Sequence, residues 1–565
     1  MDDVDAVQAQ IARTMLESGD WVTARLNGVA YLEKSPLIYW MMAVSFHIFG
    51  THDWAARIPL AVCALLLVWV TMRFGEWAFG EAAGRWAGLV IGTCTGLWLF
   101  TRIQIPDAIL TLTITVAMWS FLRSLEEEGR FWPAVLAANI GIGLLLKGLI
   151  AVLFPMAAGV IYLAVTSQLF LPQTWRRLRL FSGIGILLAI AAPWHVLATL
   201  RNPPYFDFTM KSEPGQYHGF FWFYFLNEHV FRFLNMRHPR DYNTVPRLYF
   251  WLFHLLWLFP WSAFFPAMAK LAYRPADRAG RARLLALCWA GFLLTFFTFS
   301  TTQEYYSMPC YPALALLLGS ALASDSPWIK RGRIAIALVA GLACIATGFI
   351  LSQVFNTPAP GDISQALTHN PDLYTLSLGH MGDLTLQSFA YLKLPLALAC
   401  AAFAIGALGA WRAPSAQSAF IAIALMMVLF LHAARVALVR FDPYLGSREL
   451  AIAYLRAPRG ELIADNQYYA FSSVFFYTNS RALLLNGRVN NLEYGSYAPG
   501  APDVFIDDAA LARLWKDTRR RYLLVEGPSV PRIEKLVGRE LLYEVKASGG
   551  KSLFTNIPPG SEPEK

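Results

Sequence analysis

Three aspartates, Asp2, Asp3 and Asp5, stand just ahead of Val7, Ile11, Met15 and Leu16, which follow helical spacing. Carboxylates so placed either complement the positive end of a helix or take a proton from an attacking hydroxyl. Tyr31, Glu33 and Lys34 come next and lead through Pro36 into a short apolar run, where Lys34 can hold a phosphate as a point charge or extend its ammonium to water. Arg102 and Asp107 flank a short link between apolar runs, and Lys147 lies between two others with almost no loop to carry it to solvent. A charge at that depth is a functional candidate. Residues 220–233 are an aromatic stretch interrupted by Glu228, His229 and Arg232, and residues 301–309 bring Tyr305 and Tyr306 ahead of a further apolar run. Singly these are a charged turn, a structural histidine and an aromatic belt. Jointly they supply acids, bases and aromatics suited to a charged headgroup beneath an apolar wall. The outer segments contain no Gly-rich phosphate loop, HExxH helix or GxSxG elbow, which argues against an ATP-driven enzyme and against a nucleotide cofactor.

The elements that must position these groups belong in lipid. Of 565 residues, 56% are hydrophobic and 15% charged, too few charges to cover a water-soluble surface. Apolar runs near 55–73, 84–101, 107–123, 132–146, 149–165, 181–200, 247–269, 283–299, 308–323, 332–352, 390–410 and 417–438 are long enough, or nearly so, to cross roughly 30 Å of hydrocarbon. They predict an all-α polytopic bundle of about twelve spans. Basic loops stay cytoplasmic, and those holding Arg176, Arg177 and Arg179, then Lys270 to Arg283, then Lys330, Arg331 and Arg333, lie two spans apart. The candidate residues above therefore fall on the opposite, outer side. The net charge of +9 sits mostly in these loops and reads as topology, with no nucleic-acid partner. All six cysteines lie in or at the edge of apolar runs, without metal-ligand spacing.

Four regions follow. Residues 1–53 read as amphipathic helices on the outer surface carrying the acidic motif, with no signal peptide. Residues 54–438 form the bundle, including an outer loop at 201–246. Alternating short β-rich runs over 439–557 predict a soluble outer α/β domain, and 558–565 a disordered tail.

The order of motifs resembles the GT-C glycosyltransferases that use polyprenyl-phosphate sugars, particularly the bacterial branch with the aminoarabinose transferase of lipid A and relatives of the protein O-mannosyltransferases. The resemblance rests on residues 11–21, Glu33-Lys34, Glu228-His229 with Arg232, and Tyr306 before Pro309. It implies an outer cavity in which Lys34 and Tyr306, with Arg102 and Lys147, hold the lipid phosphate. Asp2, Asp3 and Asp5 are the implied catalytic group, with Tyr31, Asp107, Glu228 and Arg232 around the substrate. Glu33 and His229 are the implied ligands of a divalent metal. One departure is that Val4, Ala6 and Val7 stand where the aminoarabinose enzymes carry an arginine, which leaves the register of the aspartates open. The implied reaction is inverting transfer from an undecaprenyl-phosphate sugar to a glycolipid such as lipid A or to a protein, by a monomer on the periplasmic face of the bacterial inner membrane.

A transporter or lipid flippase is the main rival, since polytopic bundles with buried charge commonly move substrates. Against it, the charges cluster on one face and no matching half-repeats are visible. A scaffold with the α/β domain as binding module is a third reading. The charge rule and the resemblance also lead to the expectation of one further helix upstream of Met1, which would place the acidic motif at the outer surface.

Overall fold

An apolar run in hydrocarbon must satisfy its backbone hydrogen bonds internally, so it coils into a helix. The computed structural model describes residues 1–240, 244–300, 303–368, 370 and 376–558, and all twelve apolar runs are helical in it. Thr301, Thr302 and residues 559–565 of the expected tail lie outside the described residues. Among the described residues, seven helices are long and apolar enough to cross a membrane, or eight if Arg247–Trp257 and Trp261–Met268, bent by 94°, make one span. The chain is a multi-pass membrane protein. Its N-terminal part runs α1 (Asp3–Ser18), α2 (Leu37–Phe49), α3 (Asp53–Phe79), α4 (Glu81–Thr93), α5 (Thr95–Thr101), α6 (Asp107–Glu126), α7 (Phe131–Lys147) and α8 (Ile150–Val165). The single run expected over 84–101 is broken at Cys94, whose extended backbone separates α4 from α5.

The first helix is not a free surface helix. Its Ala6, Val7, Ala9, Ile11, Ala12 and Met15 are buried, and it packs against α2 and against the helix Ser472–Thr478 of the C-terminal domain. Between α1 and α2 the strands β1 (Arg25–Leu26) and β2 (Val29–Ala30) pair as a hairpin. Its turn residues Asn27 and Gly28 have φ of +52° and +84°, the positive values that a two-residue type I′ turn requires at both positions.

Beyond the last long helix, Ala416–Arg440, the chain builds a six-stranded sheet in the order β5-β4-β3-β6-β8-β7. Strands β3 (Glu461–Asp465), β4 (Ala482–Leu485), β5 (Phe505–Ile506) and β6 (Arg521–Glu526) are parallel, while β7 (Tyr543–Ser548) and β8 (Lys551–Thr555) add an antiparallel edge. Covered on both faces, β3 and β6 are buried along most of their length, as parallel strands generally are. This domain packs directly against the β1–β2 hairpin and residues 219–223. Gly495 approaches so closely that a Cβ there would lie 1.9 Å from the Ala30 carbonyl oxygen. Tyr494 stacks on Phe223 at 4.0 Å and donates its hydroxyl to the Gly219 carbonyl at 3.0 Å.

Candidate active site

A cavity of about 130 Å³ opens where the turn before α2, the link into α6, the α7–α8 junction and the segments around Trp222–Phe231 and Glu304–Cys310 converge. Glu33, Lys34, Asp107, Lys147, Glu228, His229, Arg232 and Tyr306 all line it. Its apolar lining includes Leu110, Leu146, Ile150, Phe154, Phe233, Phe296 and Phe297.

Local sequence sets each polar group. Pro36 precedes α2 and fixes the turn that presents Lys34, while Ser35 donates to the Leu144 carbonyl at 3.0 Å and shares a short hydrogen bond with the Tyr224 hydroxyl. The Lys34 ammonium lies 2.5 Å from Glu33. Burial works against its charge, but Glu33 and then Glu228 hold it above the ordinary lysine range despite repulsion from Arg232. Asp107 sits in the first turn of α6, where a helix favours an acid, and accepts from Lys147 at 2.5 Å. The same ammonium stands over the Tyr306 ring at 4.6 Å and the Tyr305 ring at 5.4 Å, a cation–π arrangement. Glu228 and Arg232 lie four residues apart on the wide π-helix Trp222–Phe231 and its continuation, 2.7 Å apart, and Arg232 donates on to the Tyr306 hydroxyl at 3.1 Å. Such widened turns recur at functional sites.

One charge absent from the sequence candidates completes the network. Arg237, almost fully buried in the loop after the π-helix, bonds Glu228 through Nε and lies 3.7 Å from Glu33 through Nη2. Burial alone would raise the Glu228 carboxyl, but Arg237 first, then Arg232 and Lys34, hold it below the usual range.

Gly148 explains the α7–α8 corner. Its φ is +67°, and a Cβ would fall 2.1 Å from His229 Nε2. The imidazole fills that space as a bolt: Nδ1 donates to the Tyr224 carbonyl at 2.5 Å, and Nε2 accepts from the Leu149 amide at 3.1 Å. Burial pushes its pKa below the ordinary value, so the ring is neutral. With its lone pair taken, and with Glu33 facing Lys34 and Arg237, the pair Glu33 and His229 does not fit a metal ion in this arrangement.

The remaining candidates stand elsewhere. Asp2 accepts from Arg102 at 3.0 Å, Asp5 pairs with Arg57 and accepts from the Gln104 amide at 2.8 Å, and Asp3 accepts from Ser447, the Ser473 amide and Lys551 at 2.8, 2.7 and 2.6 Å. None of the three aspartates, nor Arg102, lines the cavity. Tyr31 turns away as well, its hydroxyl meeting Asn491 at 3.1 Å and Tyr469 at 3.3 Å.

Known proteins share this arrangement of helices. The chain superposes on the crystal structure of ArnT from Cupriavidus metallidurans bound to undecaprenyl phosphate with a TM-score of 0.77, at 22% identity, covering 98% of this chain and 93% of that one. The fold is that of ArnT. Residues 33–196 match the family described as dolichyl-phosphate-mannose-protein mannosyltransferase. Among curated relatives, the undecaprenyl phosphate-alpha-4-amino-4-deoxy-L-arabinose arabinosyl transferase of Aeromonas salmonicida is 30% identical over 339 residues, 58% of this chain and 56% of that protein. The transferase of the same description from Erwinia tasmaniensis is 26% identical over 322 residues, 55% and 53% of the two chains. The chain thus spans about half the length of the curated relatives it matches. The resemblance read from the motif order is shown by these matches.

Within this ArnT fold the acidic motif ties α1 to its neighbours. Asp3→Ala would leave Lys551 buried without its carboxylate and is expected to destabilise by about 3 kcal/mol. Turnover per folded molecule should stay within about 3-fold of wild type, because Asp3 stands outside the cavity lining. Thermal unfolding of the purified protein alongside activity checks this, and a large turnover loss at unchanged stability would restore Asp3 as a reacting group.

Proposed function

We propose that the chain transfers a sugar from an undecaprenyl-phosphate donor to a lipid acceptor at the outer face of the bacterial inner membrane. The observation that carries this reading is one cavity with two kinds of lining. Lys34, Lys147 and Arg232 line it with Tyr306, and apolar residues such as Leu110, Ile150, Phe154 and Phe296 line it beside them. A phosphate esterified to a long isoprenoid has that division of chemistry. The ArnT fold and the relatives' named donor support the same reading.

In this reaction the acceptor hydroxyl attacks the sugar's anomeric carbon as its proton passes to Asp107. The bond from that carbon to the phosphate oxygen breaks, and configuration inverts in a single displacement. Charge developing on the departing phosphate is stabilised by Lys34, Arg232 and Lys147, already in place. Asp107 suits the role of base because Lys147 is its one ionic partner among the described residues, whereas Glu33 and Glu228 each face two cations.

In the membrane, α7, α8, α4 together with α5, and Glu304–Cys310 together with Tyr311–Leu322 cross with the long helices, giving about twelve spans. The cavity and the α/β domain then face the periplasm. The test is transfer by purified protein from undecaprenyl-phosphate-linked sugars, 4-amino-4-deoxy-L-arabinose first, to lipid A or to protein, with products identified by mass spectrometry. Absence of transfer from every donor, with translocation of the lipid in reconstituted vesicles, would replace the transferase with the flippase reading.

A further inference from the structure

Seven charged groups meet around the cavity, and their balance turns on the one that does not line it. Glu33 faces Lys34 at 2.5 Å and Glu228 faces Arg232 at 2.7 Å, while Asp107 takes Lys147 at 2.5 Å. Left so, each cavity cation would be cancelled by its own carboxylate, and a phosphate would find a neutral surface. Arg237 stands behind Glu33 and Glu228 and reaches both, with its side chain 1% exposed. Its Nη1 donates to the Pro239 carbonyl at 2.5 Å, which pins the guanidinium. The network is then four cations against three carboxylates.

We infer that Arg237 is a positioning residue for the donor phosphate: by holding Glu33 and Glu228 from behind, it leaves Lys34 and Arg232 with uncompensated positive charge toward the cavity. The planar fork of a guanidinium suits a site that must address two carboxylates at once. In a partly desolvated site, where charge interactions are strong, one added unit of charge decides whether an anion enters.

This inference rests on the polyprenyl-phosphate reading, and the experiment separates the two. Undecaprenyl phosphate binding to the purified full chain is measured by native mass spectrometry for wild type, R237K, R237Q and R237Q/E228Q, with thermal unfolding alongside. Wild type is expected to bind, and R237Q to bind at least about 10-fold more weakly. R237K keeps the charge and should stay within about 5-fold of wild type. In the double variant the lost cation is matched by a lost carboxylate, so binding should return to within about 3-fold of wild type. A purely structural arginine would lose stability and binding together, so the unfolding measurement decides: R237Q is expected to lose binding while melting within about 3 °C of wild type. Wild-type binding in R237Q, or a double variant as weak as R237Q, overturns the inference. Should R237Q not fold, R237K and the double variant decide: near-wild-type binding in both supports it, and a loss of about 10-fold in either overturns it. No binding by wild type overturns the donor reading itself and this inference with it.

Discussion

Lys34→Ala is expected to lower transfer by more than about 100-fold, the usual consequence of removing one preorganised charge from a developing anion. The purified protein should nevertheless melt within about 3 °C of wild type. Two features separate the effects. The Lys34 side chain is 28% exposed and its ion partner is its own neighbour, Glu33, so little packing is lost with it. Glu33 still faces Arg237 when Lys34 is gone, so no buried carboxylate is left without a cation. Undecaprenyl phosphate binding should fall together with turnover, because the phosphate is present before and after sugar transfer. Lys34→Arg should recover part of the activity, since the charge persists while its reach changes. Full transfer by Lys34→Ala would remove the residue from the site.

Much of this arrangement was legible in the chain itself, for reasons that differ between its parts. The apolar runs are helical because hydrocarbon leaves the backbone no alternative, so length and hydropathy locate them well. Their breaks were less visible. The interruption at Cys94 falls between Gly92 and Gly96, a weak breaker signal inside an apolar run, and there the backbone amide of Thr95 reaches the Phe259 carbonyl at 3.2 Å. The β1–β2 hairpin did carry a local signal, Asn27-Gly28, in a place where amphipathic helices were expected.

For the site, Lys34, Asp107, Lys147, Glu228, Arg232 and Tyr306 could be picked out because each is a polar group beside or within an apolar segment, and the fold brings all six to one cavity. The aspartates near the start show the limit of that reasoning. From sequence they are an unaccompanied acidic cluster; in the structure their partners are Arg57, Arg102, Ser447, Ser473 and Lys551, most of them remote along the chain. Arg237 has the opposite history. It lies in an irregular loop with no periodicity or motif to single it out, and its meaning comes entirely from being placed behind Glu33 and Glu228.

Asp107→Asn is expected to lower turnover by about 10²- to 10⁴-fold, the range of a lost general base, with undecaprenyl phosphate binding no weaker than in wild type, because a negative charge leaves the network. The split follows from the geometry. Asparagine keeps the shape and can still accept from Lys147, whose ammonium remains over the Tyr305 and Tyr306 rings. The phosphate side of the cavity, with Lys34, Arg232 and Tyr306, is left untouched. What is lost is the ability to receive a proton as the new glycosidic bond forms. Glu33 and Glu228 are poor substitutes, because Arg237 faces both in addition to their own cavity cations. The comparison with Asp3→Ala sharpens the result, since a clamp between α1 and the C-terminal domain should cost stability and spare turnover. Steady-state kinetics with separate measurement of lipid-phosphate binding checks it. If binding falls as far as turnover in Asp107→Asn, the carboxylate serves to hold Lys147 in place, and the proton of the acceptor hydroxyl must leave by another route.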